Sequence, residues 1–199
     1  GIYSPEEASA VFDILMDAQG LPSYYYIIEG EQPVSEEMQR WFSTAVERLC
    51  KGEPVAHIVG YKVFYGRRFK VSPDVLIPRW ETEEMCLEAI KHCKSLQDKA
   101  EGWLGKAQEA GAQGGDDGAQ GVRPRVLDLC TGSGCIAWTL SLETGAEVVA
   151  VDISEKALDV AKAQGKFISS ENGGSMTGDA ERASETGDRV IVKPKFIKA

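Results

Sequence analysis

The stretch of residues 126–138 constrains the fold of this chain more than any other part of the sequence. An apolar run that begins at Val126 leads through Gly132 and Gly134 into a second apolar run that reaches Trp138. A strand that turns on glycines into a helix is typical of the opening of a nucleotide-binding βαβ unit. Because glycine has no Cβ, the backbone can turn sharply here and approach a ligand, while the following helix directs its first N–H groups toward that ligand.

The next strand of this unit is predicted over residues 147–152, which are apolar between an acid at each end. The strand ends in Asp152, whose carboxylate can accept two hydrogen bonds from a ribose diol, each worth roughly 1.5–3 kcal/mol. A second helix is predicted to follow, with Ser154 as its cap. The sequence therefore predicts a βαβα order with an acid at the end of the second strand.

The glycine spacing and the acid at position 152 fit an NAD site as well as an S-adenosylmethionine site, so this pattern alone does not choose between them. Asp128 favours S-adenosylmethionine, because a carboxylate at the end of the first strand attracts the ammonium of the methionine moiety and repels a pyrophosphate. Thr131 and Ser133 also give the loop two hydroxyl side chains, whereas a loop that only cradles pyrophosphate presents its backbone. We therefore expect S-adenosylmethionine, with NAD as the weaker alternative and a ligand-free unit as the weakest.

Two helices are predicted in the N-terminal part of the chain. The first begins after the cap Ser4, with Pro5 in its first turn, and stops at Gly20. The second begins after Ser35, where two acids occupy the first turn. The tyrosines at 24–26 lie between the two helices and are interpreted as packing rather than as a ligand site.

The pattern changes after the second helix. Val55, His57 and Val59 occupy alternate positions, and residues 55–59 are predicted to form a short strand. Residues 62–65 and 68–71 are predicted to form a β-hairpin around Gly66. A helix is predicted over residues 81–96, with acids in its first turn and lysines near its end.

Two polar stretches interrupt this pattern. Residues 98–124 consist mainly of Gly, Ala, Gln and acids, and are predicted to be a flexible insertion. Because loop closure costs only about 0.6 kcal/mol more per doubling of length, such an insertion need not disturb its neighbours. Residues 169–188 are similar and are expected to link a helix to a last strand over residues 189–197.

Composition excludes several classes of protein. The formal net charge is −9, and it is spread evenly, since residues 1–100 carry 11 basic and 16 acidic side chains and residues 101–199 carry 11 and 15. No basic footprint for nucleic acid exists. No segment approaches the roughly 18 apolar residues of a membrane span, and no signal peptide pattern opens the chain. The five cysteines contain no Cys-x-x-Cys pair, which indicates a reducing cytoplasm.

Three motifs occur together in this chain. They are Gly-Glu-Pro-Val-Ala-His-Ile-Val-Gly at 52–60 with Phe-Tyr-Gly at 64–66, Ile-Pro-Arg-Trp-Glu-Thr-Glu at 77–83, and Val-Leu-Asp-Leu-Cys-Thr-Gly-Ser-Gly at 126–134 with Val-Asp-Ile-Ser at 151–154. This combination resembles the HemK/PrmC type of peptide chain release factor N5-glutamine methyltransferase. Many methyltransferases share the glycine loop, whereas the Pro-Arg segment before it is specific.

The resemblance implies the α/β class, with a Rossmann-like class I S-adenosylmethionine-dependent methyltransferase domain preceded by a small helical domain and a β-hairpin linker. The implied boundaries are 1–52 for the helical, substrate-recognising domain, 53–78 for the linker and 79–199 for the methyltransferase domain. The implied reaction transfers a methyl group to the amide nitrogen of the glutamine in the Gly-Gly-Gln motif of class 1 release factors. We expect both terminal domains to be incomplete, because Gly1 replaces an initiator Met and no cap follows the last strand.

By matching positions, the resemblance also implies site residues. The expected cofactor site consists of Asp128, Cys130, Thr131, Gly132, Ser133, Gly134, Asp152 and Ile153. The residues Arg79, Glu81 and Thr82 are expected at the domain junction beside the cofactor or, with equal weight, as the group that pins the start of the following helix. No metal site is expected.

The chain also departs from the family's pattern. Trp80 stands where the family has a second proline, the insertion over 98–124 is longer than expected, and the family's Asn-Pro-Pro-Tyr motif is absent from these residues. That motif aligns a weakly nucleophilic amide with the methyl group, and positioning is the main requirement of such a reaction. We therefore expect no catalytic residue and no turnover in this chain by itself.

Two other functions remain open. An adenine-N6 nucleic-acid methyltransferase shares the Asn-Pro-Pro-Tyr chemistry, but its substrate base must be flipped into the site, and the even negative charge disfavours it. The chain is alternatively a non-catalytic remnant that binds the cofactor.

Overall fold

The structure, a computed structural model, describes residues 4–21, 33–109, 123–171 and 192–199. The chain forms two compact units, Gly1–Tyr61 and Lys62–Ala199. The tyrosines at 24–26, interpreted above as packing, lie outside the described residues.

The first unit is helical, as predicted. Helix α1 spans Pro5–Ala18 and helix α2 spans Glu36–Cys50. A capping box begins α1, because the Ser4 hydroxyl accepts from the Glu7 N–H at 3.2 Å and the Glu7 carboxylate accepts from the Ser4 N–H at 2.8 Å. The Ser35 hydroxyl accepts from the Met38 N–H and begins α2. Both predicted helix starts are confirmed.

The strand predicted over residues 55–59 is wrong, because this segment forms a short helix, α3, over Val55–Val59. Pro54 precedes the helix and Gly60, at φ +83°, ends it in a left-handed conformation. Its apolar side chains pack against the buried Leu15 and Leu49 of the two longer helices. An alternation over five residues fits a strand and a helical turn about equally, and packing decided the outcome.

The predicted hairpin begins at the boundary of the two units, and all of it after Tyr61 belongs to the second unit. Strand β1 spans Tyr61–Phe64 and strand β2 spans Arg67–Lys70, and the turn between them uses positive φ at Tyr65 and Gly66. Phe64 and Phe69 are fully buried, edge to face, with ring centroids 5.8 Å apart. They belong to a cluster that includes Trp138, so the hairpin packs against the glycine-turn region.

The helix predicted over residues 81–96 is longer than expected. Helix α4 spans Trp80–Glu109, so the prediction of a flexible insertion is wrong for residues 98–109. Most of these positions hold good helix formers, apart from Gly102 and Gly105, and none holds proline, so the helix can continue. Just before them, the Gln97 amide donates to the Thr144 carbonyl at 2.9 Å and ties the helix to the unit. Residues 110–122 of the predicted insertion lie outside the described residues.

The described residues of the second unit contain one parallel sheet in the order β3-β4-β5. Strand β3 spans Arg125–Leu129, β4 spans Glu147–Asp152 and β5 spans Lys195–Lys198. Helix α5, Cys135–Thr144, connects β3 to β4, and helix α6, Glu155–Glu171, follows β4. This arrangement confirms the predicted Rossmann-like α/β class.

Two boundaries differ from the expectation. Helix α6 continues to Glu171, so the predicted polar link over 169–188 starts later than expected, because Ser169 and Ser170 remain in the helix. The last strand was expected over 189–197, and the structure has β5 at Lys195–Lys198, with residues 189–191 outside the described part.

One face of the sheet holds the core of the unit. Val148 and Ala150 of β4 pack there with Ile90, Ala137 and Leu140 from the helices. Because all three strands run in the same direction, their carboxyl ends meet at one edge, where the glycine turn and Asp152 lie. None of the helices in the described part of the chain combines the length and apolar character that crossing a membrane requires.

Candidate cofactor site

The glycine turn between β3 and α5 uses left-handed backbone conformations. Cys130, Gly132 and Gly134 have φ values of 59°, 55° and 77°. The Thr131 N–H donates to the Val151 carbonyl at 3.0 Å, and the Gly134 N–H donates to the Thr131 carbonyl at 2.8 Å. The turn is therefore closed on itself and fastened to the neighbouring strand.

The two glycines of the turn serve different purposes. A Cβ on Gly134 would lie 2.9 Å from the Ala161 Cβ, so a larger residue would push α5 away from α6. A Cβ on Gly132 would meet nothing closer than the Cys130 carbonyl oxygen at 4.0 Å. Gly132 is thus needed for its φ, and it leaves open space beside the backbone.

Asp152 anchors the turn from β4. One carboxylate oxygen accepts from the Gly132 N–H at 2.8 Å and the other accepts from the Ser154 N–H at 2.9 Å. Each carboxylate oxygen has a second lone pair, and the residue is only partly buried. Asp152 can therefore hold the turn and still accept hydrogen bonds from a ligand.

Asp128 lies beneath the turn and is only 6% exposed. Its carboxylate accepts from the Thr131 hydroxyl at 2.6 Å. Burial raises the pKa of this carboxyl, and the nearby charge of Asp152 raises it further, although the hydrogen bond from Thr131 and the nearby backbone of Ala137 act in the opposite direction. Within the described ranges no cationic side chain pairs with either carboxylate.

Of the other residues predicted for the cofactor site, two are buried and two are exposed to solvent. Thr131 and Ser133 are buried, so their hydroxyls turn into the protein rather than line an open cradle. Cys130 is exposed, and Ile153 is 80% exposed directly after Asp152. Ile153 therefore offers an apolar surface beside the carboxylate.

Arg79, Glu81 and Thr82 make no hydrogen bond or ion pair with the turn in the described part of the chain. Arg79 and Glu81 are exposed at the start of α4, and the Thr82 N–H donates to the Arg79 carbonyl at 3.1 Å. In residues 4–21, 33–109, 123–171 and 192–199, no hydrogen bond or ion pair joins their side chains to residues 130–134. The same residues contain no group of three or more His, Cys, Asp or Glu arranged to hold a metal ion.

One residue in contact with the turn was not identified from the sequence. Gln164 of α6 is fully buried, and its amide donates to the Ser133 carbonyl at 3.0 Å. The signal was present, because Gln164 falls at helical spacing between the buried Ala161 and Ile168. A polar side chain on a buried stripe requires hydrogen-bond partners.

Comparison with known proteins shows what the chain is similar to. Residues 1–60 match the PrmC N-terminal domain family. The chain is 33% identical to the release factor glutamine methyltransferase of Koribacter versatilis over 92% of its own length and 58% of that protein, and 32% identical to that of Bacillus subtilis over 96% and 60%. The protein of the same name from Chlorobaculum tepidum is 38% identical over 72% of this chain and 42% of its own.

The chain therefore spans less than two thirds of the length of these relatives. Among solved structures it is similar to the human methyltransferase 10 domain containing protein, with a TM-score of 0.36 and 16% identity over 83% of this chain and 53% of that one. The resemblance found in the sequence motifs is confirmed by the named relatives.

Proposed function

This chain is a homologue of the release factor glutamine methyltransferases, and from that premise we propose that its protein methylates the glutamine of the Gly-Gly-Gln motif in class 1 peptide chain release factors. The methyl donor is S-adenosylmethionine and the place of action is the cytoplasm. The observation that carries the proposal is a glycine turn flanked by two carboxylates, Asp128 and Asp152, without a cationic partner in the described residues.

The residues present fit this cofactor. S-adenosylmethionine carries an ammonium and a sulfonium, and when bound it supplies an electrophilic methyl group. A cationic ligand lowers the energy of the buried Asp128 carboxylate, whose pKa is raised because burial penalises its charge. The free lone pairs of Asp152 suit ribose hydroxyls, and the exposed Ile153 suits the face of an adenine ring.

The transfer step requires residues beyond the turn. A neutral amide nitrogen is a weak nucleophile, because its lone pair is delocalised into the carbonyl. The resemblance assigns its alignment to an Asn-Pro-Pro-Tyr loop, which these 199 residues do not contain. We propose that the 199-residue chain binds the cofactor and transfers no methyl group, while its helical N-terminal domain serves the recognition of the release factor.

Calorimetric titration with S-adenosylhomocysteine tests the cofactor directly. We expect saturable binding by the unmodified chain, no binding of NADH, and a loss of affinity of about 100-fold in Asp152→Ala, where two charge-assisted hydrogen bonds are removed. Asp159→Ala is the matched control, because Asp159 is an exposed acid on α6. It should bind as tightly as the parent.

The outcomes separate the alternatives. If the folded chain binds neither compound, the cofactor proposal is wrong, and binding of NADH in preference would support an oxidoreductase. Transfer of labelled methyl to a release factor is expected to be undetectable with this chain. Turnover by the purified chain would contradict the proposed need for the Asn-Pro-Pro-Tyr loop.

A further inference from the structure

The fully buried amide of Gln164 connects two separate parts of the second unit. Its nitrogen donates to the Lys70 carbonyl at 2.8 Å and to the Ser133 carbonyl at 3.0 Å, and its oxygen accepts from the Lys70 N–H at 2.9 Å. Both amide hydrogens and one acceptor site are thus used. Lys70 ends β2 of the hairpin, whereas Ser133 belongs to the glycine turn.

These bonds fix the orientation of one peptide group in the turn. The carbonyl of Ser133 and the N–H of Gly134 belong to the same planar peptide and point in opposite directions. The carbonyl is held by Gln164, and the N–H donates to the Thr131 carbonyl at 2.8 Å. The peptide therefore has a partner on each side and cannot rotate without breaking one of the two bonds.

We infer that Gln164 is a positioning residue for the cofactor, which holds the glycine turn in its binding conformation by fastening it to the end of the β-hairpin. This inference rests on the proposed binding of S-adenosylmethionine at the turn. Gln164 does not contact the ligand, and it acts on the turn only through its hydrogen bond to the Ser133 carbonyl. The hairpin then becomes part of the support of the site, because its Lys70 backbone uses two of the three bonds.

The test compares variants of Gln164 with a control elsewhere in the same unit. Gln164→Met keeps the approximate volume and removes all three hydrogen bonds, while Gln164→Asn keeps the amide but is one methylene too short to reach both partners. Thr144→Val is the control, because Thr144 is also buried and bonds the Leu140 carbonyl and the Ala146 N–H at the far end of α5. All three variants lose buried hydrogen bonds, and only the Gln164 variants touch the turn.

Affinity for S-adenosylhomocysteine is measured by calorimetry, stability by urea unfolding, and local opening by amide hydrogen exchange in residues 130–134. We expect Gln164→Met to weaken binding at least about tenfold, Gln164→Asn to fall between it and the parent, and Thr144→Val to leave affinity unchanged. Exchange in the turn should rise in the Gln164 variants and not in Thr144→Val, a difference that a purely global loss of stability does not produce.

The possible failures are distinguishable. Unchanged affinity and exchange in both Gln164 variants, with normal binding by the parent, overturn the positioning role and leave the proposed function standing. An equal loss of affinity in Thr144→Val overturns it as well, because the effect would then follow stability. If the folded parent does not bind S-adenosylhomocysteine at all, the proposed cofactor is wrong and this inference falls with it.

Discussion

The two sides of the glycine turn are built in opposite ways. On the helix side, a Cβ on Gly134 would lie 2.9 Å from the Ala161 Cβ, and a Cβ on Gly165 would lie 2.7 Å from the Trp138 ring. On the strand side, the turn meets the carboxylates of Asp128 and Asp152 through hydrogen bonds. One side consists of close packing without spare room, and the other consists of polar groups with acceptor capacity left over.

Because of this difference, we expect the helix side of the turn to affect mainly stability and the strand side to affect mainly ligand binding. Close-packed atoms respond to added volume with strain, so the helix side should control the free energy of unfolding. A buried carboxylate with a raised pKa reduces stability at neutral pH, as expected if the strand side has the ligand-binding role proposed above. Substitutions on the two sides should therefore have different signatures in unfolding and in binding.

The largest effect is expected on the helix side. Gly134→Ala should lower the free energy of unfolding by about 3 kcal/mol, because a left-handed φ of 77° and the contact with Ala161 both oppose a Cβ. Urea unfolding followed by circular dichroism measures the change. If this variant were as stable as the parent, close packing on the helix side would not control the free energy of unfolding.

Gly145→Ala is the matched control for that measurement. Gly145 ends α5 at φ +65°, and nothing lies within 4 Å of its added Cβ. The variant therefore carries the conformational strain alone, and we expect a loss of about 1 kcal/mol. The excess loss in Gly134→Ala then measures the packing against α6. Equal losses in both variants would mean that the two helices separate without cost.

On the strand side, Asp128→Asn should weaken S-adenosylhomocysteine binding about tenfold with little loss of stability. The folded pKa of this carboxyl is raised by burial above the value of 3.8 in an unfolded chain. An acid of this kind lowers stability as the pH rises from the unfolded pKa through the folded pKa, and the deficit persists above it. Removing the charge should therefore remove that deficit at pH 7.

The measurement is the difference in unfolding free energy between Asp128→Asn and the parent from pH 3.5 to pH 8. We expect the variant to gain relative to the parent as the pH rises, and to be within about 1 kcal/mol of it at pH 7. Asp159→Asn, which removes the charge of an exposed acid, is the control for the loss of one surface carboxylate. A variant that becomes progressively less stable with rising pH would show that the ionised carboxylate stabilises the fold.

Much of this arrangement was accessible from the sequence, because local signals carried it. Ser4 and Ser35 marked helix starts, and the glycines at 132 and 134 marked the turn. The misassigned segment at 55–59 shows the limit, since five residues carry too little periodicity to separate a strand from a helix packed on Leu15. Helix α4 likewise continues beyond the end of its apolar pattern. The helix propensity of its residues and the hydrogen bond from Gln97 to the Thr144 carbonyl both favour this continuation.

The features of the site that could not be predicted depend on contacts between residues far apart in the sequence. Gln164 and its partner Lys70 are 94 positions apart, so no local pattern could pair them. The left-handed φ of Cys130 was also missed, because the glycines beside it appeared to supply the whole turn. Thr131 and Ser133 were predicted as cofactor-site residues, and only the packing of the folded chain shows that both side chains are buried.

The smallest expected effect concerns the cysteines, which differ in solvent exposure. Cys130 in the turn is exposed, and Cys135 at the start of α5 is buried. Burial raises the pKa of the Cys86 thiol to about 12 and that of Cys135 to about 11, whereas Cys130 and Cys50 are exposed. Cys93 is also buried, and burial raises the pKa of its thiol. Iodoacetamide at pH 8 should therefore modify Cys50 and Cys130 in the folded chain, and Cys86, Cys93 and Cys135 only after unfolding. Peptide mass spectrometry measures both patterns.

Modification of Cys130 should weaken S-adenosylhomocysteine binding about threefold, ~0.7 kcal/mol, because the added group stands at the open face of the turn. Cys50→Ser isolates this effect, since only Cys130 then reacts in the folded chain, and Cys130→Ser should bind normally after the same treatment. Unchanged affinity after complete modification of Cys130 would place the ligand away from that residue. Modification of Cys135 in the folded chain would instead mean that the helix side opens readily, which contradicts the close packing from which the comparison starts.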